Sequence, residues 1–333
     1  MLIRHDVHLA HFQLRSIFAC ASRSQLFYPT RRGIFRFNPT TKGGAVAIDL
    51  GSFAGSNNAV TTLDADCGVL VGGTYLGEYV IKSLNSSDKA TFTEGSIACG
   101  PQALTNHVRI HRTRFSQRPV VTIASNDRVL RTMDIETEKF TALIRYEYPI
   151  NCTALSADRR LRIHVGDEAT ATVCCADTGK ETVTLGGHRD YGFTCDWSED
   201  GIHVATGSQD KRVKIWDARK WTDSSGDGTP LASIWCEMAG PRNVRFSPLS
   251  SGASVLVAAE EADYVSVFDV KTLQKKQTID VFGELGGVNF SDDGSELNIL
   301  VTDASRGGVI QLDSCKIGVK DQRSAISRFV KPF

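Results

Sequence analysis

The sequence predicts an all-β fold: a closed, seven-bladed β-propeller that occupies the whole chain, residues 1–333, as one domain. Three observations support this prediction. Short apolar runs recur along the chain, each is followed by an alternating strand that ends in Asp or Asn, and a further strand precedes each pair. The unit recurs every 42 to 49 residues, measured between apolar anchors of the preceding strands. These anchors are Ile17, Leu63, Ile110, Leu155, Trp197, Phe246 and Phe290.

The residue pattern justifies the strands of each unit in turn. The middle strands are nearly continuous apolar runs, as expected when a sheet is packed between two neighbours and buries both faces. These runs are 26–28, 69–71, 120–123, 161–163, 202–204, 255–257 and 297–300. The strands after them end at a short polar side chain that can bond the backbone of a turn. These residues are Asn38, Asn85, Asp134, Asp177, Asp217, Asp269 and Asp313.

The seventh unit needs a further strand to close the ring. After Asp313 the chain offers only one weak strand, whereas residues 6–14 alternate and precede the first anchor. We therefore predict that one terminus completes the last blade, because strand pairing there removes an exposed sheet edge.

Composition narrows the classes of function. Lys plus Arg equals Asp plus Glu, which removes the electrostatic argument for a nucleic-acid or membrane partner, and no apolar run reaches the length of a membrane span. Residues 1–40 are rich in Arg, as in a mitochondrial presequence, but their apolar spacing favours a basic first blade. Nine cysteines without a Cys-x-x-Cys pair predict no metal site and no cofactor, and a reducing location in the cytoplasm, the nucleus or both. We expect a monomer.

An arginine-rich hairpin at 107–118 contains Arg109, Arg112, Arg114 and Arg118. It could form a local anion or nucleic-acid patch. With Phe115 as its one aromatic residue and no net charge on the chain, a solvated face is the favoured interpretation.

The fifth unit resembles a repeat of the WD40 family. The matching residues are Gly186-Gly187-His188, Ala205 to Asp210, and Val213 to Asp217, and the sixth and seventh units carry degraded forms of them. Segments 11–29, 201–219 and 278–296 are also similar to a group of uncharacterised fungal and plant WD-repeat proteins whose last blade carries a domain of unknown function. The resemblance implies a propeller, and it implies no chemistry.

In WD40 repeats that resemble this one, a His, a Ser or Thr, an Asp and a Trp form a hydrogen-bonded tetrad inside the sheet. By motif position these are His188, Thr206, Asp210 and Trp216. A catalytic alternative would need an exposed nucleophile beside the histidine, and Ser208 and Cys195 are the nearby candidates. We favour the structural role and predict no enzyme activity.

The expected function is a protein–protein interaction scaffold. Rim loops on rigid sheets carry binding, and Tyr and Arg are favoured at interfaces. The predicted partner contacts are Arg189, Asp190, Tyr191, Arg242 and Arg306. An alternative comes from Trp216 to Arg219, which resembles the short WDxR pattern of substrate receptors of cullin-4 ubiquitin ligases. That resemblance would make Asp217 and Arg219 contacts for the adaptor propeller of the ligase.

Overall fold

Strands account for almost all regular structure in the computed structural model, which describes residues 6–51, 59–86, 91–98, 102–224, 226–252, 254–303 and 307–313. In these residues the only helix is a short 3-10 turn, Leu249–Ser251, and no helix is long or apolar enough to cross a membrane. The strands form six sheets, five of four strands and one of six.

Each four-stranded sheet is an antiparallel meander of consecutive strands. The first contains β1 (Ala19–Ser22), β2 (Gln25–Thr30), β3 (Gly33–Asn38) and β4 (Gly43–Asp49). The second contains β5 (Val60–Asp66), β6 (Val69–Thr74), β7 (Glu78–Ser83) and β8 (Thr93–Ser96). The third contains β9 (Thr105–Arg112), β10 (Pro119–Ser125), β11 (Val129–Asp134) and β12 (Lys139–Arg145). The fourth contains β13 (Ile150–Leu155), β14 (Leu161–Gly166), β15 (Ala171–Cys175) and β16 (Glu181–Leu185). The fifth contains β17 (Gly192–Trp197), β18 (His203–Ser208), β19 (Arg212–Asp217) and β20 (Ala232–Trp235).

The sixth sheet holds the last two sequence units together. Its strands are β21 (Pro241–Phe246), β22 (Val255–Glu260), β23 (Ala262–Asp269), β24 (Gln274–Phe290), β25 (Glu296–Val301) and β26 (Gly308–Asp313). The long strand β24 pairs with β23 up to Glu284 and with β25 from Leu285 onward. The all-β propeller fold is therefore confirmed, whereas the count of seven blades is not, because the described residues form six sheets.

The core lies between neighbouring units rather than at one centre. Ile34 and Ile48 of the first sheet pack with Leu63 and Leu70 of the second, and similar apolar clusters join each later unit to the next. A further cluster joins the first sheet to the strands β25 and β26. Burial on both faces is the reason that the middle strands have uninterrupted apolar sequences.

The first strands of the units contact one another around a circuit. β1 contacts β5, the contacts continue through β9, β13, β17 and β21 to β24, and β24 contacts β1. Between them, Ile17 N–H donates to the Gly286 carbonyl at 3.2 Å and Leu63 N–H donates to the Ser16 carbonyl at 2.8 Å. Gly287 has φ +141, and a Cβ there would lie 2.7 Å from the Arg15 carbonyl oxygen, so this junction requires glycine.

Of the two candidates for a closing strand, only the N-terminal one lies in the described residues. Residues 6–14 contain no strand, and His8 N–H donates to the Pro29 carbonyl of β2 at 2.9 Å. Residues 314–333 lie outside the described residues. The identity of the closing strand therefore stays a prediction.

Candidate functional site

The four predicted tetrad residues lie in one chain of hydrogen bonds across the fifth sheet. His188 enters from the loop before β17, Thr206 is on β18 and Trp216 is on β19. His188 Nδ1 is 3.0 Å from Asp210 Oδ2, and His188 Nε2 is 2.9 Å from Thr206 Oγ1. Trp216 Nε1–H donates to Thr206 Oγ1 at 3.0 Å. One loop and two strands are thus joined by side chains as well as by the backbone ladder.

The direction of these bonds follows from the chemistry of each group. An indole N–H can only donate, so the Thr206 hydroxyl accepts it and has its own proton to donate to His188 Nε2. The imidazole then carries its proton on Nδ1 and donates to Asp210. Burial alone would raise the pKa of Asp210, but bonds from His188 and from the N–H groups of Arg189 and Arg212 outweigh it and lower the pKa. Every polar atom of the tetrad has a partner.

The order hydroxyl, imidazole, carboxylate is also that of a Ser-His-Asp catalytic triad. Here the hydroxyl cannot meet a substrate, because Thr206 is 0% exposed and its oxygen already holds the Trp216 indole. The two nucleophile candidates are occupied elsewhere. Ser208 Oγ donates to the Asp190 carbonyl at 2.8 Å, and burial raises the pKa of the Cys195 thiol. Neither Ser208 nor Cys195 hydrogen-bonds to His188 in the described residues. The tetrad can therefore hold strands together, but it lacks a nucleophile.

The rim loop that follows His188 rests on the same network. Arg189 N–H donates to Asp210 Oδ2 at 3.0 Å, and Ser208 fixes the Asp190 carbonyl. Gln209 N–H donates to the Tyr191 carbonyl at 2.9 Å. The side chains of Arg189, Asp190 and Tyr191 are exposed, Tyr191 by 49%, so the tetrad supports a loop whose side chains are open to solvent.

Arg242, a predicted partner contact, is buried and does not join this loop. The Arg242 side chain is only 2% exposed, because it lies 3.9 Å over the Phe193 ring and donates to Glu261 at 2.8 Å. Its position before the sixth unit suggested a rim residue, whereas neighbouring strands bury it. Arg306 lies outside the described residues.

Asp217 and Arg219 lie at the opposite end of the fifth sheet. Arg219 donates to the Asp217 carboxylate from its backbone at 2.9 Å and from its guanidinium at 2.9 and 2.8 Å. These bonds lower the pKa of Asp217 to about 2. The Arg219 side chain is nevertheless 68% exposed, so its remaining N–H groups face solvent.

Four charged side chains line the central channel, the cavity that the first strands surround, and sequence reasoning did not identify them as a group. Asp64, Arg109, Asp196 and Arg245, all on first strands, line a cavity of about 490 Å³. The sequence places Arg109 in a surface hairpin, whereas its side chain lines this cavity. Because strand side chains alternate between faces, a residue next to an apolar anchor points to the opposite face, and this signal could have located Arg109, Asp196 and Arg245.

The channel aspartates connect neighbouring units. Asp64 Oδ2 accepts from Ile110 N at 2.7 Å, and Asp196 Oδ2 accepts from Phe246 N at 2.8 Å. Thr62 and Thr194 make the corresponding bonds two residues earlier on the same strands. In the described part of the chain, no group of three or more His, Cys, Asp or Glu is arranged to hold a metal ion.

Comparisons with known proteins agree with this geometry. The family of the WD domain, G-beta repeat (WD40) matches residues 179–217, a range that contains the whole tetrad. An uncharacterized protein of Schizosaccharomyces pombe is 22% identical over 316 residues, which cover 87% of this chain and 84% of that protein. The DDB1- and CUL4-associated factor 11 homolog of Caenorhabditis elegans is 21% identical over 262 residues, which cover 76% of this chain and 44% of that protein.

Proposed function

This chain is a WD-repeat protein, and on that premise we propose that it is a non-catalytic scaffold that binds protein partners through its rim loops. The observation that carries the proposal is the loop Arg189–Asp190–Tyr191, whose backbone is fixed by Asp210 and Ser208 while its side chains stay exposed. A fixed loop loses little conformational entropy on binding, and an exposed Tyr is a favoured interface anchor.

Affinity purification of the full chain from its native cells tests this function. We expect Tyr191→Ser to lose at least one stable partner while its melting temperature stays that of the wild type. Leu249→Ser, an exposed apolar residue at the other end of the propeller, is the matched control and keeps the partners. Turnover of a substrate by the purified protein, or an unchanged partner set in Tyr191→Ser, would contradict the proposal.

A receptor role in a cullin-4 ubiquitin ligase is the second candidate. Two observations favour it: the exposed Arg219 beside Asp217 in a WDxR-like segment, and the similarity to a relative named as a DDB1- and CUL4-associated factor. In this role the free N–H groups of Arg219 bind the adaptor.

Co-purification with DDB1 tests the receptor role. Arg219→Ala is expected to weaken capture of DDB1 by at least about tenfold, since losing a charged contact at an interface costs roughly 1.5–3 kcal/mol. Lys220→Ala, the exposed neighbouring cation, leaves capture unchanged. Equal capture by the two variants, or none by the wild type, removes this candidate.

We also propose that the ring has seven blades, with β24 contributing the last strand of one blade and the first strand of the next. In support, β24 changes partner between Glu284 and Leu285, and Phe282 just before that point has φ 56. Apolar side chains of β22 and β23 also pack against those of β25, as separate blades do.

The seven cysteines in the described residues are all unpaired, which supports a reducing compartment, the cytoplasm or the nucleus.

A further inference from the structure

Five arginines gather at the end of the third and fourth sheets opposite the Tyr191 loop. This arginine cluster contains Arg109, Arg112, Arg114, Arg118 and Arg159. Among the described residues, none of the five has a carboxylate oxygen within 4.0 Å, whereas Arg23, Arg32 and Arg219 each do. The cluster therefore has positive charge that no nearby acid in the described chain neutralises by direct pairing.

The loop that carries part of the cluster is held in place. Thr113 N–H and the Arg118 carbonyl close the loop at 2.8 Å, and Thr113 Oγ1 lies 2.6 Å from Ser116 Oγ. Arg112 donates to the Gln117 carbonyl at 3.0 Å, and Arg159 of the neighbouring sheet donates to Gln117 Oε1 at 2.9 Å. These bonds order the loop before any ligand arrives, so binding there loses little conformational entropy.

A cavity of about 300 Å³ opens beside this loop. Arg109, Arg112 and Arg159 line it, together with Asp66 and Asp196. Burial alone would lower the pKa of Arg109, but the carboxylates of Asp64, Asp196 and Asp66 raise it, so the guanidinium stays charged. Three guanidinium groups at one cavity suit a single carboxylate, which arginine binds with paired N–H donors.

We propose that the arginine cluster binds an acidic segment of a partner protein, with one carboxylate in the cavity and further acidic side chains on Arg114 and Arg118. This inference rests on the scaffold function and names the chemistry of one partner. Phe115 is 82% exposed beside Arg114 and offers an apolar contact to the same segment.

The charges favour a peptide over a nucleic acid. The three arginines and two aspartates that line the cavity sum to one positive charge, which a single carboxylate can neutralise, whereas a nucleic-acid strand would bring several closely spaced phosphates to it. Phe115 is the single exposed aromatic residue in the described loop. Single-stranded nucleic acids are commonly bound by several stacking aromatics along a basic groove.

Fluorescence anisotropy of the full chain with a labelled hexaglutamate peptide at low ionic strength tests the proposal. We expect saturable binding that salt weakens. The variants Arg114→Glu/Arg118→Glu and Arg109→Met should each weaken it by about tenfold or more. The matched control is Arg128→Glu/Arg145→Glu, two exposed arginines at the other end of the same sheet, which leave binding within about twofold.

Several outcomes would overturn the inference: no binding of hexaglutamate, equal loss in cluster and control variants, or preference for single-stranded oligothymidine. A melting temperature measured for each variant separates loss of binding from loss of fold. Failure here is distinguishable from failure of the scaffold function, because the scaffold function predicts native partners that depend on Tyr191 whether or not hexaglutamate binds.

Discussion

Thr206 takes part in two hydrogen bonds of the tetrad through a single hydroxyl group. It accepts from Trp216 and donates to His188, and all three side chains are buried. Removing this hydroxyl leaves an indole N–H without a partner in a place that water cannot reach. A buried donor left unpaired costs more than the bond itself contributes.

The variant Thr206→Val should therefore lower the free energy of unfolding by about 1–3 kcal/mol, although it conserves the shape of the side chain. Adding Trp216→Phe removes the unpaired indole N–H, so the double variant should lose less than the sum of the two single changes. Urea denaturation of the three variants measures these differences. Simple additivity would show that the tetrad bonds carry no coupled energy.

His164 on β14 supplies a second residue-scale prediction, because it is buried in its neutral form. Burial, and then the nearby Arg162, lower its pKa from 6.5 to about 3. The unfolded chain binds the proton first, so the stability that neutral His164 contributes is present above pH 6.5 and is lost as the pH falls toward about 3.

We expect the unfolding free energy of the wild type to fall with acid over this range, with a slope of up to about 1.4 kcal/mol per pH unit from this residue. His164→Asn should reduce the slope. Tyr148→Phe, which removes the hydroxyl 3.5 Å from His164 Nε2 but keeps the imidazole, should retain it. Denaturation curves recorded at several pH values measure the slopes, and identical slopes in both variants would refute the assignment.

At the scale of elements, side chains on the first strands join each unit to the next. Thr62 and Asp64 of β5 bond β9 in the same way that Thr194 and Asp196 of β17 bond β21. Backbone N–H groups at the inner edge of a sheet have no further strand to pair with in the same sheet. These side chains satisfy them and hold neighbouring sheets in register.

Asp196→Ala should lower the free energy of unfolding by about 1–3 kcal/mol, because it leaves the buried Phe246 N–H without its acceptor. Glu199→Ala is the matched control. Glu199 also accepts from a backbone N–H of the next unit, Leu249, but at an exposed site, so its loss should cost less than about 1 kcal/mol. Thermal unfolding compares the two, and equal costs would contradict the role assigned to Asp196.

The sequence was sufficient to predict three strands of each unit but insufficient to locate the fourth strands or to predict how β24 is shared. Four of the predicted turn residues, Asn38, Asp134, Asp217 and Asp269, accept hydrogen bonds from backbone N–H groups two or three residues later, as expected. Strand β24 could not be foreseen as one continuous element, because it pairs with β23 along its first part and with β25 along its last part. The burial of Arg242 likewise depends on Phe193 and Glu261, which only the folded ring brings to it.

At the scale of the whole molecule, the first unit must meet the last. Arg15 lies at this junction, buried, and donates to the carbonyls of Phe12 at 3.0 Å and Leu285 at 3.3 Å. Its Nη2 is 3.7 Å from Glu284. The N-terminal segment thus contacts β24 as well as the first sheet, and joins the first unit to the last.

Arg15→Ala should lower the free energy of unfolding by about 2–3 kcal/mol, through lost bonds to buried carbonyls and the cavity left behind. Arg23→Ala removes a shorter but exposed ion pair to Glu296, at 2.8 Å, and should cost at most about 1 kcal/mol. Calorimetry of both variants provides the comparison. A larger effect for Arg23 would show that the buried Arg15 is not the stronger contact between the first and last units.

The central role assigned to the tetrad is to hold the backbone of the Arg189–Tyr191 loop in place. Amide hydrogen exchange in the Thr206→Val variant tests it most directly, because this change removes two tetrad bonds without touching the loop. We predict that the amides of Arg189 and Gln209 exchange faster by about tenfold or more, while the amides of β13–β15 keep their wild-type protection. Unchanged exchange at Arg189 and Gln209 would contradict the claim.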